Sequence, residues 1–438
     1  IDCGNFPEWE LGVQIVEEKD EFKFDFDLLD PTKLIPEELV PVRRIGKLTL
    51  NRNPDNFFAE TEQVAFHPGH IVPGIDFTND PLLQGRLFSY TDTQLSRLGS
   101  PNFHEIPINR SISPTHNNQR DGHMRQTINV GQTSYDPNTL NAGCPFQAKA
   151  VEGGFTSYAE RIDAKKIRAR SKSFFDHFSQ AKLFFNSQSG PEKDHLTSAL
   201  TFELGKVKTE VIRKRMIALL TQVDMDLAKT VASNLGMDVT KPEQPINHSI
   251  PADGNPKNFQ PVFVKSAIDK SAALSMENTI KTSIKTRKIA MLATDGFEDA
   301  SFNAMKNALQ NAGAMPVIIA SHLGSIKSKN GKVVKADESL LSTSSVLFDA
   351  VYISGGRESV NAFFECPETL DFIKQAFKHF KPIGINGEAI ELFKAACSSK
   401  KPDNKSVESP SEEGISINKT PNDFIKQIAQ HRFWNRKF

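Results

Sequence analysis

The last third of the sequence alternates short apolar runs with helical stretches, and this alternation limits the possible folds more than any other feature. The apolar runs are KIAML from Lys288, Pro316–Ser321, Ala350–Gly356 and Lys381–Gly387. An amphipathic stretch follows the first run as far as Ala312, and helical stretches separate the later runs. Parallel strands must be joined by crossovers of this kind. The alternation therefore predicts an open parallel sheet with helices on both faces.

The first part of the chain has a different strand pattern. Its strand candidates are Glu10–Val16, Gly46–Leu50 and Phe57–Phe66, with turn signals at Asp30-Pro31 and at residues 51–54. These spacings predict antiparallel strands of a barrel or a meander. The Pro- and Gly-rich residues 67–81 predict a loop that leads into the next element.

The middle of the chain combines a segment without core residues, two helices and a linker. Residues 100–160 are rich in Asn, Pro, Gly, Arg and Ser, which cannot form a core of their own. One helix is predicted to open at Gly190-Pro191, and a second to span Asp224–Leu235 with Asp224 as its N-cap. The proline-rich residues 238–284 are typical of a linker. After Cys397 the chain is polar until a last amphipathic helix, predicted over Pro421–Trp434.

One segment joins a helical pattern to guanidinium and phenol groups. Arg86–Gly99 reads RLFSYTDTQLSRLG and spaces Arg86, Tyr90, Thr93 and Arg97 so that a helix places them on one face. A buried arginine needs an acceptor, and a tyrosine that has lost its proton is one. A free phenol has a pKa near ~10, so a tyrosinate at neutral pH needs a metal and a nearby positive charge. The spacing alone also fits a surface helix with an Arg–Tyr contact.

The pattern R-x-F-x-Y followed by D-T-x-x-x-R-L-G resembles the proximal haem signature of the haem catalases. The resemblance extends over nearly the whole chain and includes the C-terminal domain that distinguishes large-subunit catalases. It implies an α+β fold joined to an α/β domain. The expected parts are the C-terminal part of an antiparallel catalase β-barrel, an extended wrapping segment, a small helical domain and a flavodoxin-like domain with a doubly wound parallel sheet.

The resemblance also suggests domain limits and an assembly. We expect the back part of the barrel with the proximal helix over residues 1–110, the wrapping segment over 111–165, the helical domain over 166–237, the linker over 238–284 and the flavodoxin-like domain over 285–438. In the family the wrapping segment threads between subunits, which implies a homotetramer. Because the chain begins at Ile1 in a strand-like pattern, and the front part of the family's fold is missing, we expect a processed product or a fragment.

The resemblance implies haem as the cofactor, either type b or an oxidised derivative such as haem d, and no NADPH. The iron would be bound by Tyr90. Arg86 would favour the phenolate form of this ligand, since an arginine keeps its charge. Phe66 would pack on the proximal side of the porphyrin, and Leu83 would supply an apolar wall.

Three further positions are assigned by the resemblance. Thr93 and Arg97 follow the ligand by one and two turns, and Arg97 would pair with a haem propionate; a solvent-exposed helix end is the alternative for Arg97. His67 corresponds to a histidine that can become covalently bonded to the proximal tyrosine in large-subunit catalases, with a hydrogen-bonding loop histidine as the alternative. The pair His67 and His70 has no acidic or cysteine partner nearby in the sequence, which argues against a metal site there.

The implied function is haem-dependent disproportionation of hydrogen peroxide to water and oxygen, with this chain supplying the proximal haem side. Cleavage of the O–O bond needs a base, normally histidine, and an amide donor. None of the eleven histidines lies in a matching motif. We therefore assign no catalytic residue in this chain, expect the distal His and Asn in the absent front part, and expect the chain alone to be inactive. The alternative is a non-catalytic haem-binding or scaffolding remnant.

The C-terminal pattern also resembles the class I amidotransferase and peptidase-like group, which uses a cysteine at a strand-to-helix turn. Glu298 matches the acidic residue of that group, but Asn386 stands at the nucleophile position, and an amide is no nucleophile. Gly355-Gly356 could bind an anion through backbone amides. A hydrolase is therefore disfavoured, and we interpret the domain as structural.

Composition limits the partners and the compartment. Lys+Arg and Asp+Glu both number 53, so the net charge is zero and no broad basic surface is expected for nucleic acid. The cysteines, Cys3, Cys144, Cys366 and Cys397, lack C-x-x-C spacing, which fits a reducing compartment and predicts a cytoplasmic protein. Because no apolar run reaches about eighteen residues, no membrane span is expected.

Overall fold

The computed structural model describes residues 1–2, 4, 6–99, 101–112, 121–133, 138–140, 156–162, 170–279, 281–397 and 413–436. The chain forms two compact units, an N-terminal unit over Ile1–Ser275 and a C-terminal unit over Met276–Phe438. The wrapping segment predicted over 111–165 lies largely outside the described residues. No helix in the described ranges has both the length and the apolar character that crossing a bilayer requires.

The described strands of the N-terminal unit form a two-stranded antiparallel sheet. Strand β1 (Glu8–Val13) pairs with strand β2 (Arg43–Thr49), so the first two predicted strands are confirmed with shifted ends. The strand predicted over Phe57–Phe66 is wrong, because this segment contains a π-helical turn over Phe58–Glu62. The Glu60 carboxylate accepts hydrogen bonds from the backbone N–H groups of residues 55 and 56, and this local bonding stabilises a turn over an extended chain.

The helices of the N-terminal unit are α1 (Pro81–Leu98), α2 (Ser179–Ser187), α3 (Gly190–Gly205), α4 (Glu210–Leu220) and α5 (Met225–Asn234). The last four contribute to one core, whose buried members are Phe185, Leu204, Ile217, Leu227, Val231 and Ala232. A capping box of Ser189 and Glu192 opens α3, and the Asp224 carboxylate caps α5. Both helices predicted for this region are thereby confirmed.

The C-terminal unit is built on a six-stranded parallel sheet. Its strands are β3 (Lys288–Leu292), β4 (Met315–Ala320), β7 (Glu338–Ser339), β8 (Ala350–Ile353), β9 (Ile383–Ile385) and β10 (Ile415–Ile417), in the order β10-β9-β8-β3-β4-β7. A separate antiparallel ribbon joins β5 (Gly324–Lys327) to β6 (Val333–Ala336). The mixed helix-and-sheet architecture with a parallel sheet is thus confirmed.

Helices cover both faces of this sheet: α6 (Asp299–Asn311), α7 (Arg357–Phe364), α8 (Pro367–Lys378), α9 (Ile390–Cys397) and α10 (Pro421–Gln430). Alternate residues of each strand point to opposite faces. Met291 of β3 lies in a core with Phe302 of α6 and Phe424 of α10, whereas Leu292 lies in a second core with Phe363 of α7 and Phe377 of α8. Helix α10 ends four residues before the predicted Trp434, since His431 has a left-handed φ of 71°.

The order of the strands reverses between β3 and β8, and open α/β sheets often bind ligands in the crevice at this point. In this chain the crevice is filled by backbone. The Glu298 N–H donates to the Gly355 carbonyl at 2.9 Å, and a Cβ added to Gly356, which has a φ of 112°, would lie 2.3 Å from the Gly296 carbonyl oxygen. Only glycine fits at position 356.

Candidate functional site

Helix α1 positions the candidate site, and local signals define both of its ends. The Asp80 carboxylate accepts a hydrogen bond from the Leu82 N–H at 2.9 Å, and Pro81 occupies the first turn. Gly99 ends the helix in the left-handed conformation, and its N–H donates to the Leu95 carbonyl. The helix predicted from Arg86 onward is confirmed.

Tyr90 is half-buried and lies between a guanidinium and an aromatic ring. Arg86 Nη2 is 3.5 Å from Tyr90 Oη, and the guanidinium carbon is 5.2 Å from the centre of the phenol ring. The Phe66 ring meets Tyr90 edge-on, with centroids 5.5 Å apart and an interplanar angle of 76°. Since Phe66 is 59 % exposed, apolar surface beside the phenol remains open for a flat apolar group.

His67 is held in one tautomer by a chain of hydrogen bonds. Its Nδ1 accepts from the Gly69 N–H at 2.8 Å, so the proton of the neutral ring belongs on Nε2. Nε2 lies 2.7 Å from Thr91 Oγ1, and the Thr91 hydroxyl donates to the Leu87 carbonyl at 3.0 Å. These contacts match the hydrogen-bonding loop histidine, and the bond between His67 and Tyr90 stays a prediction.

Gln94 and Arg97 tie α1 to the segment that carries Phe66. Gln94, only 4 % exposed, donates through Nε2 to the Phe66 carbonyl at 3.1 Å and accepts from Arg97 Nη2 at 2.6 Å. Arg97 also donates to the carbonyl oxygens of Glu62 at 2.5 Å and Val64 at 2.6 Å. The structure therefore uses the Arg97 guanidinium to bind backbone carbonyls; its pairing with a haem propionate stays a prediction.

Two other assigned positions, Leu83 and Thr93, lie on α1 but in different environments. Leu83 is half-buried and Thr93 is exposed. Thr91 and Gln94, which orient His67 and the segment that carries Phe66, were not predicted from the sequence. The four-residue spacing of Gln94 from Tyr90 was the available signal, since it places a buried amide on the same side of the helix as Tyr90.

His67 and His70 belong to a stack of rings around Phe103. The two imidazoles stack at 4.8 Å, and His104 meets His70 edge-on at 6.4 Å. Burial lowers the pKa of all three histidines, which favours neutral rings at neutral pH. In the part of the chain that the structure describes, no three His, Cys, Asp or Glu side chains converge to hold a metal ion.

The second candidate region lies at the carboxyl edge of the parallel sheet. Asn386 follows β9 at the predicted strand-to-helix turn, and its Oδ1 accepts from Ser301 Oγ at 3.1 Å. The Ser301 hydroxyl and N–H also contact the Glu298 carboxylate, and these bonds lower the Glu298 pKa. The Gly356 N–H donates to a Glu388 carboxylate oxygen at 3.2 Å, so a side chain of the protein itself occupies this amide.

Three models of known protein families match different parts of the chain. A model described as "Catalase" matches residues 1–142, one described as "Catalase-related immune-responsive" matches residues 171–235, and the C-terminal domain found in long catalases matches residues 285–438. The chain belongs to the catalase family. Its C-terminal match places it with the long, large-subunit catalases.

The chain is also similar over its whole length to curated proteins named catalase. It is 48 % identical to "Catalase" of Alkalihalophilus pseudofirmus, covering 100 % of this chain and 60 % of the relative. It is 47 % identical to "Catalase-2" of Bacillus subtilis, covering 100 % and 60 %, and 47 % identical to "Catalase HPII" of Pseudomonas putida, covering 100 % and 58 %. The chain thus spans about 60 % of the length of the first two relatives.

Proposed function

We propose that this chain supplies the proximal side of a haem site at which hydrogen peroxide is disproportionated to water and oxygen. The observation that carries the proposal is the Arg86–Tyr90 pair on helix α1, with Phe66 edge-on to the phenol. Relatives named catalase, aligned over the full chain, support the same activity.

The residues present fit a haem group on physical grounds. A phenolate oxygen is a strong anionic donor, and a guanidinium 3.5 Å away would pair with its negative charge without competing for the metal. The exposed ring of Phe66 offers the apolar contact that a porphyrin would cover. Tyr90 would bind the iron, and Leu83 would extend the apolar wall.

The remaining side chains would orient the ligand. Gln94 and Arg97 fix the backbone that carries Phe66, so they act as positioning residues. Thr93 lies one turn beyond the ligand on the exposed part of α1. The group would be haem b or an oxidised derivative such as haem d.

Bound haem would supply the redox chemistry, while the protein must place a negatively charged oxygen on the iron and keep it there. Tyr90 would supply this oxygen, and Arg86 would pair with its negative charge. Proton transfer between the two peroxide oxygens needs a base and an amide donor on the opposite face of the haem. We assign neither of them to the residues of this chain, and we propose that a distal His and Asn complete the site.

The same proposal extends to the finer architecture. The antiparallel pair β1–β2 would be part of a catalase β-barrel, and residues 285–438 would form a flavodoxin-like domain. The order of the strands, with the first strand of the sheet at its centre, supports a doubly wound arrangement. Residues 111–165 would wrap around neighbouring subunits of a homotetramer.

Replacing the ligand tests the proposal. In the haem-loaded protein, Tyr90→Phe should remove phenolate ligation, so most haem should be lost on gel filtration and the visible spectrum should change. Tyr158→Phe is the matched control, because Tyr158 is an exposed phenol in the same unit. A Tyr90→Phe protein with an unchanged haem content and spectrum would refute Tyr90 as the ligand.

A second variant separates the catalase from the non-catalytic alternative. In a haem-loaded protein that also contains the distal His and Asn, Arg86→Leu should retain part of the haem but lower oxygen release, because a hydrogen bond to a charged group contributes roughly 1.5–3 kcal/mol. Arg44→Leu, at an exposed arginine paired with Glu10, is the control. Haem binding through Tyr90 without oxygen release, in a haem-loaded protein that also contains the distal His and Asn, would favour the scaffolding alternative.

A further inference from the structure

Several basic side chains lie at the amino edge of the six-stranded sheet. Arg287 precedes β3, Lys381 precedes β9, and His431 and Arg432 follow the end of α10. Asp349, directly before β8, is the carboxylate that faces them, and its Oδ1 lies 3.9 Å from His431 Nε2. This edge is opposite to the one that carries Glu298 and Asn386.

Lys381 already has acceptors within the fold. Its Nζ donates to the Phe348 carbonyl at 2.6 Å and to the Ser345 carbonyl. Arg436 is likewise bonded, to the carbonyl oxygens of Glu413, Phe377 and Lys381 at 2.9–3.1 Å. These two cations hold backbone together and leave little capacity for a ligand.

Arg287 and Arg432 are different. Arg287 bonds only through Nη1, to the Ile428 carbonyl, and Arg432 only through Nη1, to the His431 carbonyl at 2.9 Å and the Asp349 carbonyl at 3.4 Å. Within the described residues, neither guanidinium forms an ion pair, and Nε and Nη2 of each have no acceptor. Both side chains are half-buried, where an unpaired charge is unfavourable.

The pKa shifts at this edge indicate that nearby negative charge does not fully balance its positive charge. Burial lowers the pKa of both arginines, and their mutual repulsion lowers that of Arg432 further. Burial together with the neighbouring arginines lowers the pKa of His431 to about 4, so this ring is neutral at neutral pH. Asp349 attracts both guanidiniums, but one carboxylate cannot balance two of them.

We propose that Arg287 and Arg432 form a binding site for a phosphate group at the amino edge of the C-terminal sheet. Two guanidiniums present paired N–H donors whose spacing matches the oxygens of a phosphate. The neutral His431 ring can donate one further hydrogen bond. The ligand is either free phosphate or a phosphate monoester, and the site is independent of the proposed haem site.

The test measures ligand-dependent stability of the C-terminal unit in the full chain. Trp9→Phe leaves Trp434 as the single tryptophan, so its fluorescence reports on that unit. Inorganic phosphate should raise the unfolding temperature over chloride at equal ionic strength, and the rise should grow with the logarithm of its concentration above the dissociation constant. Glycerol 3-phosphate, tested in parallel, distinguishes a monoester site from one for the free anion.

Variants identify the site. Arg432→Gln and Arg287→Gln should each weaken phosphate binding at least tenfold, and Arg432→Lys should weaken it less. Arg357→Gln, an equal change of charge at an exposed arginine paired with Glu391, should bind as the parent does. Equilibrium dialysis with inorganic phosphate at 25 °C checks any variant that unfolds early on heating. Equal affinity in Arg432→Gln and the parent, or no saturable binding to the parent, would overturn the proposal.

Discussion

Replacing Lys381 by methionine should change how the stability of the C-terminal unit depends on pH. Lys381 is 3 % exposed, and its ammonium group is bonded to two backbone carbonyls. Burial, reinforced by the charge of Arg432, lowers its pKa from 10.5 to about 8. The folded state therefore releases this proton at a lower pH than the unfolded state does.

The sign and the magnitude follow from proton linkage. Below pH ~8 both states hold the proton, and the full penalty of the buried charge is present. Between pH ~8 and ~10.5 the unfolded state binds more protons, so the free energy of unfolding rises with pH. A pKa difference of one unit corresponds to about 1.36 kcal/mol, so the full rise is ~3 kcal/mol, of which about 2 kcal/mol is reached by pH ~9.5.

The assay compares parent and Lys381→Met by urea unfolding from pH 7 to 9.5, both in the Trp9→Phe background with Trp434 as the reporter. At pH 7 the free energies of unfolding of parent and variant differ for two reasons, because the variant loses hydrogen bonds and is also relieved of the buried charge. The informative quantity is therefore how this difference in free energy changes with pH. We expect the parent to gain about 2 kcal/mol relative to the variant over this range. Parallel curves would show that Lys381 titrates normally and would refute the reasoning.

Three further substitutions or reactions have defined outcomes. Burial raises the pKa of the Cys397 thiol to about 12, so at pH 8 its thiolate fraction should be roughly a thousandfold below that of an ordinary thiol. Alkylation followed by mass spectrometry should therefore show that Cys397 reacts more slowly than Cys366. Gln94→Leu leaves the Phe66 carbonyl without its donor and should destabilise the N-terminal unit by about 1–3 kcal/mol in urea unfolding, whereas an unchanged midpoint would contradict its positioning role. Gly356→Ala forces a Cβ against the Gly296 carbonyl and should destabilise the C-terminal unit by ~3 kcal/mol or more. Urea unfolding followed by Trp434 fluorescence measures this loss, and a loss below ~1 kcal/mol would contradict the prediction.

The elements that could be predicted are those whose signals are local. Asp80-Pro81 and Gly99 mark both ends of α1 within the sequence of the helix itself, and Asp224 does the same for α5. Four strands of the parallel sheet, β3, β4, β8 and β9, were predictable because they are short apolar runs between amphipathic stretches. Strands β7 and β10 have two and three residues and were not predicted. The strand predicted over Phe57–Phe66 is wrong because apolar and acidic residues alternate there as they do in a strand, whereas the Glu60 carboxylate bonds to the backbone and stabilises a turn.

The candidate site was predictable only in part. The spacing of Arg86 and Tyr90 is four residues, so one helical turn is enough to bring them together. The partners of His67 and Gln94 lie 24 and 28 residues away in the chain, at Thr91 and Phe66, and no periodicity of one segment encodes such a contact. Two of the acceptors of Arg97 are backbone carbonyls, which leave no trace in side-chain identity.

The central position of β3 has a consequence for synthesis of the chain on the ribosome. One neighbour, β4, follows after a single helix, but the contact between Lys288 and Asp349 at the start of β8 spans 61 residues. While those residues are being translated, one edge of β3 has exposed N–H and C=O groups beside a strongly apolar sequence. The nascent C-terminal unit should therefore bind holdase chaperones in this interval, and a ribosome stalled between β4 and β8 should display the most aggregation-prone form of the chain.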